Sequence, residues 1–230
     1  KWYRSKGVDT KYYGHPFMEI DHLNENRVQF FKRHKLNQKE KLIALLPGSR
    51  QQEINKHWGI YIETVTLLKK TYPNLQVIVG KSDNVIIPKA DKSFRIEKNA
   101  KKAIIASDIA IVASGTATLE TALFRIPQIV CYKSSWISIM IGRFLLRNLK
   151  FISLVNLILN KEVVKELIQE NLNEKNLTFE LNNILKGEKR KNILESYNQL
   201  IEKLGTKGAS KKTALKIFNY LDSNSYSKEL

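Results

Sequence analysis

Two short segments of the sequence combine glycine, hydroxyl and charged side chains in a pattern suited to binding phosphate. Residues 46–50 read Leu-Pro-Gly-Ser-Arg, and residues 114–120 read Ser-Gly-Thr-Ala-Thr-Leu-Glu. Gly48 lets the backbone approach a ligand closely, and a helix that begins there offers free N–H groups and the positive end of its dipole. Arg50 could add a bidentate contact to a phosphate. Both segments are therefore candidate anion-binding turns.

A pair of ordinary helix starts is the alternative, with Ser49 capping the first helix and Ser114 or Thr116 capping the second. Glu120 fits that alternative poorly. A capping box places its carboxylate three residues after the cap, whereas Glu120 lies four residues after Thr116. At that spacing the carboxylate lies on the same side of the helix as Thr116, one turn further along the helix. There it can accept hydrogen bonds from the hydroxyls of a ribose. The two segments together favour a site for a sugar nucleotide.

The elements around the two segments predict an open parallel sheet. Short apolar runs that indicate strands alternate with longer stretches of helical periodicity between residues 42 and 132. The predicted strands are 42–46, 75–79, 94–96, 108–113 and 128–132, and the predicted helices are 51–70, 101–106 and 116–124. This alternation is typical of a Rossmann-like α/β domain with right-handed crossovers. Ligands bind such a sheet beyond the carboxyl ends of its strands, where both segments lie.

No further strands are predicted after Lys133. We expect a loop through 153–160, a frayed tail at 222–230, and helices at 134–150, 161–171, 176–186, 190–204 and 209–221. The helix at 134–150 has a broad apolar face, and Arg143, Arg147 and Lys150 share its other side. Helices that lie on anionic lipid have this combination, although a partly buried helix with snorkelling arginines has the same pattern.

The composition is that of a globular protein with an anionic partner. The 230 residues are 43% hydrophobic and 27% charged, which argues against disorder. The formal net charge of +17 suits nucleic acid, a membrane surface, a phosphorylated lipid or a nucleotide. The single cysteine, Cys131, permits no internal disulfide and fits a reducing compartment. The sequence has neither a signal peptide nor an apolar run near the ~18 residues that span a bilayer. It opens at Lys1 without an initiator methionine, so we expect residues upstream.

Several common site motifs are absent from the sequence. There is no G-x-G-x-x-G, no P-loop and no G-x-S-x-G nucleophile elbow. The four histidines show no metal-ligand spacing among themselves or with Cys131. We single out His15 because Gly14 and Pro16 fix the backbone around it.

Six segments occur in an order and spacing that match one enzyme family. They are YGHP at 13–16, LLPGSRQQEI at 45–54, SGTATLE at 114–120, YK at 132–133, SLVNL at 153–157 and ELIQ at 166–169. Each segment alone is modest, but the ordered set is specific, and together they resemble lipid-A-disaccharide synthase. Val155 departs from the family, which usually has proline there. This change loosens the loop that carries Asn156 but keeps the asparagine.

The resemblance implies a GT-B glycosyltransferase, in which two Rossmann-like domains are separated by a cleft. The chain is similar to the C-terminal domain. We therefore expect residues 1–20 to end the N-terminal domain, 21–204 to bind the UDP-sugar and 205–230 to form a crossover helix and tail. The implied reaction joins UDP-2,3-diacylglucosamine to 2,3-diacylglucosamine 1-phosphate with inversion, releases UDP and needs no metal or other cofactor. The general base is expected in the N-terminal half, so no catalytic residue is assigned, and this chain alone should be nearly inactive.

The resemblance also implies roles for individual residues. Arg50 would stabilise the leaving pyrophosphate, Glu120 would hold the ribose, and Asn156 would line the nucleotide or acceptor side of the cleft. His15 would lie at the crossover between the domains. The full set of implied UDP-binding residues is Gly48, Ser49, Arg50, Ser114, Gly115, Thr116, Glu120, Asn156 and, as a weaker candidate, Gln169.

The implied setting is the cytoplasm of a Gram-negative bacterium, peripheral to the inner membrane. An anionic membrane surface and a second copy of the chain, exchanging helix 209–221, would be partners, and nucleic acid would not. Two alternatives stay open at this point. Another UDP-sugar enzyme of the GT-B fold, such as a peptidoglycan glycosyltransferase or a sugar epimerase, would use a similar helix-terminus phosphate site. A nucleic-acid-binding module is suggested by the charge, but the lysines are scattered and no recognised nucleic-acid motif occurs.

Overall fold

The structure is a computed structural model that describes residues 2–19, 26–88, 91–133 and 150–225. Its contacts separate two compact units. The larger unit is Leu23–Leu200, and the smaller one combines Lys1–His22 with Ile201–Leu230. Both candidate turns belong to the larger unit.

Within the described residues of the larger unit, six parallel strands form one sheet. In chain order they are β1 (Leu42–Leu46), β2 (Gln76–Gly80), β3 (Arg95–Glu97), β4 (Ile109–Ala113), β5 (Gln128–Tyr132) and β6 (Lys165–Ile168). Their spatial order is β3-β2-β1-β4-β5-β6, so β1 and β4 are neighbours at the centre. Leu46 pairs with Val112, which brings the ends of these two strands to the same place.

Helices connect the strands and continue after the sheet. They are α1 (Trp2–Ser5), α2 (Arg27–Arg33), α3 (Gln51–Thr71), α4 (Ala100–Ala106), α5 (Thr116–Leu123), α6 (Leu154–Leu159), α7 (Glu174–Leu185), α8 (Glu188–Leu204) and α9 (Ala209–Ser225). The described part of the chain also has two short 3₁₀ helices, Pro16–Glu19 and Gln169–Asn171. Within the described part of the chain, no helix combines the length and the apolar character needed to cross a bilayer.

The central strands are buried on both faces, which explains their continuous apolar sequences. Every residue of β1 and β4 is buried, and parallel strands covered by helices on both sides need such runs instead of alternation. On α3, Ile54, Tyr61 and Leu68 recur at helical spacing and are fully buried. Phe30 and Phe31 of α2 join the core cluster that contains residues of β1 and β4. This packing fixes where the two central strands end.

The strands and helices predicted between residues 42 and 132 are confirmed to within a residue at each end. Two later predictions are wrong, and the tail predicted to begin at residue 222 is helical through Ser225. The helix predicted at 161–171 is the strand β6, which pairs with β5, followed by the 3₁₀ helix. The loop predicted at 153–160 contains α6. The helix predicted at 134–150 lies outside the described residues apart from Lys150.

The periodicity of the chain explains the first of these errors. Val163, Val164, Leu167 and Ile168 recur at a spacing that suits one face of a helix, so a short edge strand cannot be distinguished from a helix by pattern. α6 has only six residues, which is too short to show a period. It is defined instead by Ser153, whose hydroxyl accepts the N–H of Asn156 as an N-cap.

The smaller unit brings the two ends of the chain together. The backbone N–H of His15 donates to the carbonyl of Leu204 at 3.1 Å, and the Tyr12 hydroxyl donates to the same oxygen at 2.9 Å. Glu19 caps α9 by accepting the N–H of Ser210 at 2.8 Å. Gly14 is required here, because its φ is +109° and a Cβ would lie 2.9 Å from the carbonyl oxygen of Thr206.

Candidate functional site

The turns that follow β1 and β4 line a single cleft. The strand order reverses between these two strands, and open α/β sheets bind ligands at such a switch point. The cleft has a volume of about 370 Å³. The structure brings seven of the predicted site residues to its walls, namely Gly48, Ser49, Arg50, Ser114, Gly115, Thr116 and Glu120.

The two helices that begin at the cleft have no side-chain cap. Arg50 is the N-cap residue of α3 and Gly115 is that of α5, and no side-chain hydrogen bond caps either helix start. Four other helices are capped in the usual way, by side-chain oxygens of Asn26, Asn99, Ser153 and Asn173. The ordinary-cap alternative for the two turns is therefore wrong, and the first N–H groups of α3 and α5 can serve a ligand.

Arg50 supplies an exposed positive charge beside the start of α3. Its side chain is 82% exposed, and its Nη1 atom lies 3.6 Å from Oε1 of Glu53, one turn further along the helix. An exposed ion pair of this kind contributes little to stability. The guanidinium can therefore exchange the carboxylate for a phosphate at small cost in free energy.

Glu53 is a cleft residue that the sequence prediction missed. It packs over Gly48 so closely that a Cβ on Gly48 would lie 2.5 Å from Glu53 Oε2 and 3.1 Å from Glu53 Cβ. Gly48 also has a φ of +120°, which side chains rarely allow. Both the backbone conformation and the close approach thus require glycine. Its position in the sequence could have indicated it, because Glu53 lies in the first turn of the helix that follows the predicted phosphate turn.

Glu120 lies one turn into α5 on the wall of the cleft. Its side chain is 17% exposed, and Oε1 lies 3.6 Å from Nζ of Lys101 in the first turn of α4. The sequence did not predict this contact with Lys101, because nothing local links residue 101 to residue 120. The separation from Lys101 leaves the carboxylate able to accept hydrogen bonds from a ligand.

Asn156 is not among the residues that line the cleft. It is fully buried on α6, and its Oδ1 accepts the N–H groups of Val163 and Val164 at 2.8 and 3.0 Å. Its Nδ2 donates to the Val164 carbonyl and to Glu166 Oε1, both at 2.8 Å. The hydrogen bonds of the Asn156 amide are therefore all made within the protein.

The contacts of Asn156 nevertheless lead to the second turn. Glu166 accepts the N–H groups of Ile152 and Ser153 at 2.9 and 3.0 Å. The carbonyl of Ile152 in turn accepts the hydroxyl of Ser114 at 3.4 Å. Asn156 thus helps to hold the backbone that flanks the cleft.

Gln169 and His15 are also absent from the cleft walls. Gln169 follows β6, the outermost strand of the sheet, and has a φ of +54° at the start of the 3₁₀ helix. His15 belongs to the smaller unit, where its Nδ1 accepts the N–H of Phe17 at 3.1 Å.

Comparison with known proteins identifies the family. A family model described as lipid-A-disaccharide synthetase matches residues 1–218. The chain belongs to the lipid-A-disaccharide synthetase family. It is 34% identical over 223 residues to the lipid-A-disaccharide synthase of Syntrophus aciditrophicus (strain SB), a match that covers 93% of this chain and 58% of that protein. The chain thus spans a little over half the length of the curated relatives it matches.

Solved structures of low sequence identity share the fold. Spinosyn Forosaminyltransferase SpnP matches with a TM-score of 0.54 at 11% identity, over 83% of this chain and 46% of that one. The S. aureus MnaA–UDP co-structure matches with a TM-score of 0.56 at 14% identity, over 87% of this chain and 50% of that one. The predicted fold class, a Rossmann-like parallel sheet with flanking helices as in GT-B glycosyltransferases, is confirmed.

Proposed function

We propose that the cleft binds the nucleoside diphosphate of a UDP-sugar and is the donor site of a lipid-A-disaccharide synthase. The observation that carries this proposal is the presence of two uncapped helix starts, at Arg50 and Gly115, in one cleft with an exposed guanidinium. One set of open N–H groups suits one phosphate, so two neighbouring sets suit a diphosphate. A neutral ligand would gain little from the two dipoles.

Glu120 supports the nucleoside part of the proposal. A ribose presents two adjacent hydroxyl groups, and one carboxylate can accept a hydrogen bond from each. Glu120 lies one turn beyond the open start of α5, on the same cleft. A diphosphate held at the helix start would therefore place its sugar within reach of this carboxylate.

The reaction we propose is that of the family. A 2,3-diacylglucosamine unit passes from its UDP carrier to 2,3-diacylglucosamine 1-phosphate, and UDP leaves. Negative charge grows on the pyrophosphate as the glycosidic bond breaks, and Arg50 and the two helix starts would stabilise that charge. We assign the general base to the N-terminal half of the whole enzyme. The isolated chain should then bind UDP with little turnover.

Isothermal titration calorimetry with UDP tests the site. Replacing Arg50 by alanine removes a charge-assisted contact worth roughly 1.5–3 kcal/mol, so UDP affinity should fall about 10- to 150-fold. Glu120→Ala should cause a loss of at least about tenfold by the same reasoning. Arg27→Ala is the matched control, because Arg27 pairs with Asp108 at the amino ends of the strands. Undetectable UDP binding, or equal binding by all variants, would contradict the assignment.

A donor competition series separates the proposed reaction from the other UDP-sugar enzymes of this fold. The probes are UDP, UDP-N-acetylglucosamine and UDP-2,3-diacylglucosamine. An acyl-sugar transferase should prefer the diacylated nucleotide. A preference for UDP-N-acetylglucosamine would instead favour a peptidoglycan glycosyltransferase or an epimerase.

We also propose that the protein works at an anionic membrane surface, where its lipid substrates would lie. Its net charge of +17 supports this. Cosedimentation with vesicles should show binding that increases with the fraction of phosphatidylglycerol and weakens when salt is raised about tenfold. Binding that changes with neither the phosphatidylglycerol fraction nor the salt concentration would refute an electrostatic attachment.

A second copy of the chain is the partner that we propose for α9. Five apolar side chains of this helix are more than half exposed, namely Leu215, Ile217, Phe218, Tyr220 and Leu221. Apolar surface of this extent is normally covered. Sedimentation velocity should show a dimer that Phe218→Glu weakens, and a monomer at every concentration would contradict this part of the proposal.

A further inference from the structure

His57 is a buried side chain that connects two strands which are not neighbours. It lies on α3 and is 1% exposed. Its Nδ1 lies 3.2 Å from the carbonyl oxygen of Pro47, which follows β1. Its Nε2 lies 3.1 Å from the backbone nitrogen of Lys133, which follows β5. β4, which carries the second turn, lies between β1 and β5 in the sheet. The imidazole therefore links the end of β1 to the end of β5 across β4.

The two hydrogen bonds determine the protonation state of the ring. A backbone N–H can only donate, so Nε2 accepts from Lys133 and the single proton lies on Nδ1, which donates to Pro47. Burial lowers the pKa of His57, an effect only partly opposed by the Pro47 carbonyl and Glu53. The charged and titratable groups that face the ring are Glu53, Lys56 and Tyr61 on α3 and Lys133 at the end of β5, and the Tyr61 ring stacks on the imidazole with 5.8 Å between centroids. The two lysines also lower the pKa of His57. The neutral form therefore prevails near pH 7.

The end of β5 is also attached to the second turn. The backbone N–H of Ser114 donates to the carbonyl of Cys131 in β5 at 2.9 Å. A continuous series of contacts thus runs from Pro47 through His57 to the end of β5, and from there to Ser114. Its two ends are the two turns that line the cleft.

We propose that His57 is a positioning residue that sets the separation between the two phosphate-binding turns. The inference rests on the proposed function and adds a specific expectation to it. A nucleoside diphosphate contacts both turns and depends on their separation. A nucleoside monophosphate occupies one turn and depends on it much less. The preference for UDP over UMP therefore reports the role of His57.

Calorimetry with UDP and UMP on the wild-type protein, His57→Ala and His57→Gln tests the inference. His57→Ala should weaken UDP binding about tenfold more than UMP binding, which corresponds to ~1.4 kcal/mol of coupling. His57→Gln retains a donor and an acceptor at a similar separation and should keep most of the preference. Because the preference is a ratio of affinities, a smaller folded fraction lowers both affinities equally and leaves the ratio unchanged.

A pH series supplies a second readout that does not require the alanine variant to fold. Protonated His57 cannot accept a hydrogen bond from Lys133. The wild-type preference for UDP should therefore decline only as the pH falls below about 6.5, the ordinary pKa of histidine, and that of His57→Gln should not. Identical pH profiles for the two proteins would overturn the inference.

Asp108→Asn is the matched control. Asp108 also links strand ends, since it accepts the N–H of Leu42 at 2.8 Å, but at the amino ends of β1 and β4, away from the cleft. This variant should lose stability and keep its UDP preference. An unchanged preference in His57→Ala, or an equal loss in Asp108→Asn, overturns the role of His57. Failure of the wild-type protein to bind UDP contradicts the proposed function instead.

Discussion

At the scale of residues, the two turns of the cleft use glycine for different reasons. A Cβ on Gly48 would collide with Glu53, and its φ of +120° is unfavourable for any side chain. A Cβ on Gly115 would meet nothing within 4 Å. The first turn therefore needs glycine for its own packing, whereas open space above the second turn remains for a ligand.

A pair of glycine substitutions on one helix and its preceding turn tests this difference. Gly48→Ala should lower the free energy of unfolding by about 1–3 kcal/mol and weaken UDP binding, because both the φ and Glu53 must adjust. Gly59→Ala is the control in the middle of α3, where a Cβ meets nothing within 4 Å. It should stabilise the protein by about 0.5–1 kcal/mol. Urea unfolding measures both, and the opposite order would contradict the strain at Gly48.

Arg50 and Glu120 could be predicted as cleft residues from the sequence, because the prediction depends only on how far each lies from the start of a helix. The contacts of Glu53 and Lys101 could not, because each depends on a neighbour that only packing supplies. His57 is the extreme case. Its two partners, Pro47 and Lys133, are 10 and 76 residues away in the chain, and no periodicity relates them.

At the scale of elements, one asparagine fixes the connection between α6 and β6. The side chain of Asn156 bonds to both Val163 and Val164 and to Glu166, and Glu166 holds the backbone before α6. Sequence periodicity predicted β1, β2, β4 and β5 because each is an apolar run that is almost entirely buried. It failed at β6 because an edge strand of four residues owes its place to such hydrogen bonds and not to a pattern.

Asn156→Asp should therefore destabilise the protein strongly. The new carboxylate oxygen would face the Val164 carbonyl and Glu166, where Nδ2 now donates, so a loss of about 3 kcal/mol or more is expected. Asn160→Gly is the control, because Asn160 ends α6 with a φ of +54° that glycine adopts freely. Differential scanning calorimetry compares the two, and equal melting temperatures would show that the buried network contributes little.

At the scale of the whole molecule, buried titratable groups make stability depend on pH. Burial alone would raise the pKa of Asp108. The Leu42 N–H and the Arg27 and Lys41 cations lower that pKa by a larger amount, so the net shift is downward. The pKa of Glu97 is lowered in the same way, where the Asn99 N–H, His34 and Arg33 outweigh burial. Both carboxylates are therefore more stable ionised in the folded protein than in the unfolded chain.

Acidification should consequently destabilise the protein in two stages. His57 binds a proton more weakly folded than unfolded, so stability begins to decline as the pH falls below about 6.5. The contributions of Asp108 and Glu97 are present above their unfolded pKa values and are lost as the pH falls through their lower folded values. Urea midpoints between pH 7 and pH 3 should show both stages. His57→Gln should remove the first and Asp108→Asn should reduce the second, whereas a flat profile would contradict both.

The burial of Cys131 in β5 gives the protein an internal reporter. Its thiol is inaccessible, and burial raises its pKa to about 12, so almost no thiolate exists at neutral pH. An alkylating reagent can react only during excursions in which the strand separates from its neighbours. The rate at which this sulfur atom is labelled therefore measures how often the sheet opens where the second turn is attached. A diphosphate bound across both turns should slow that rate.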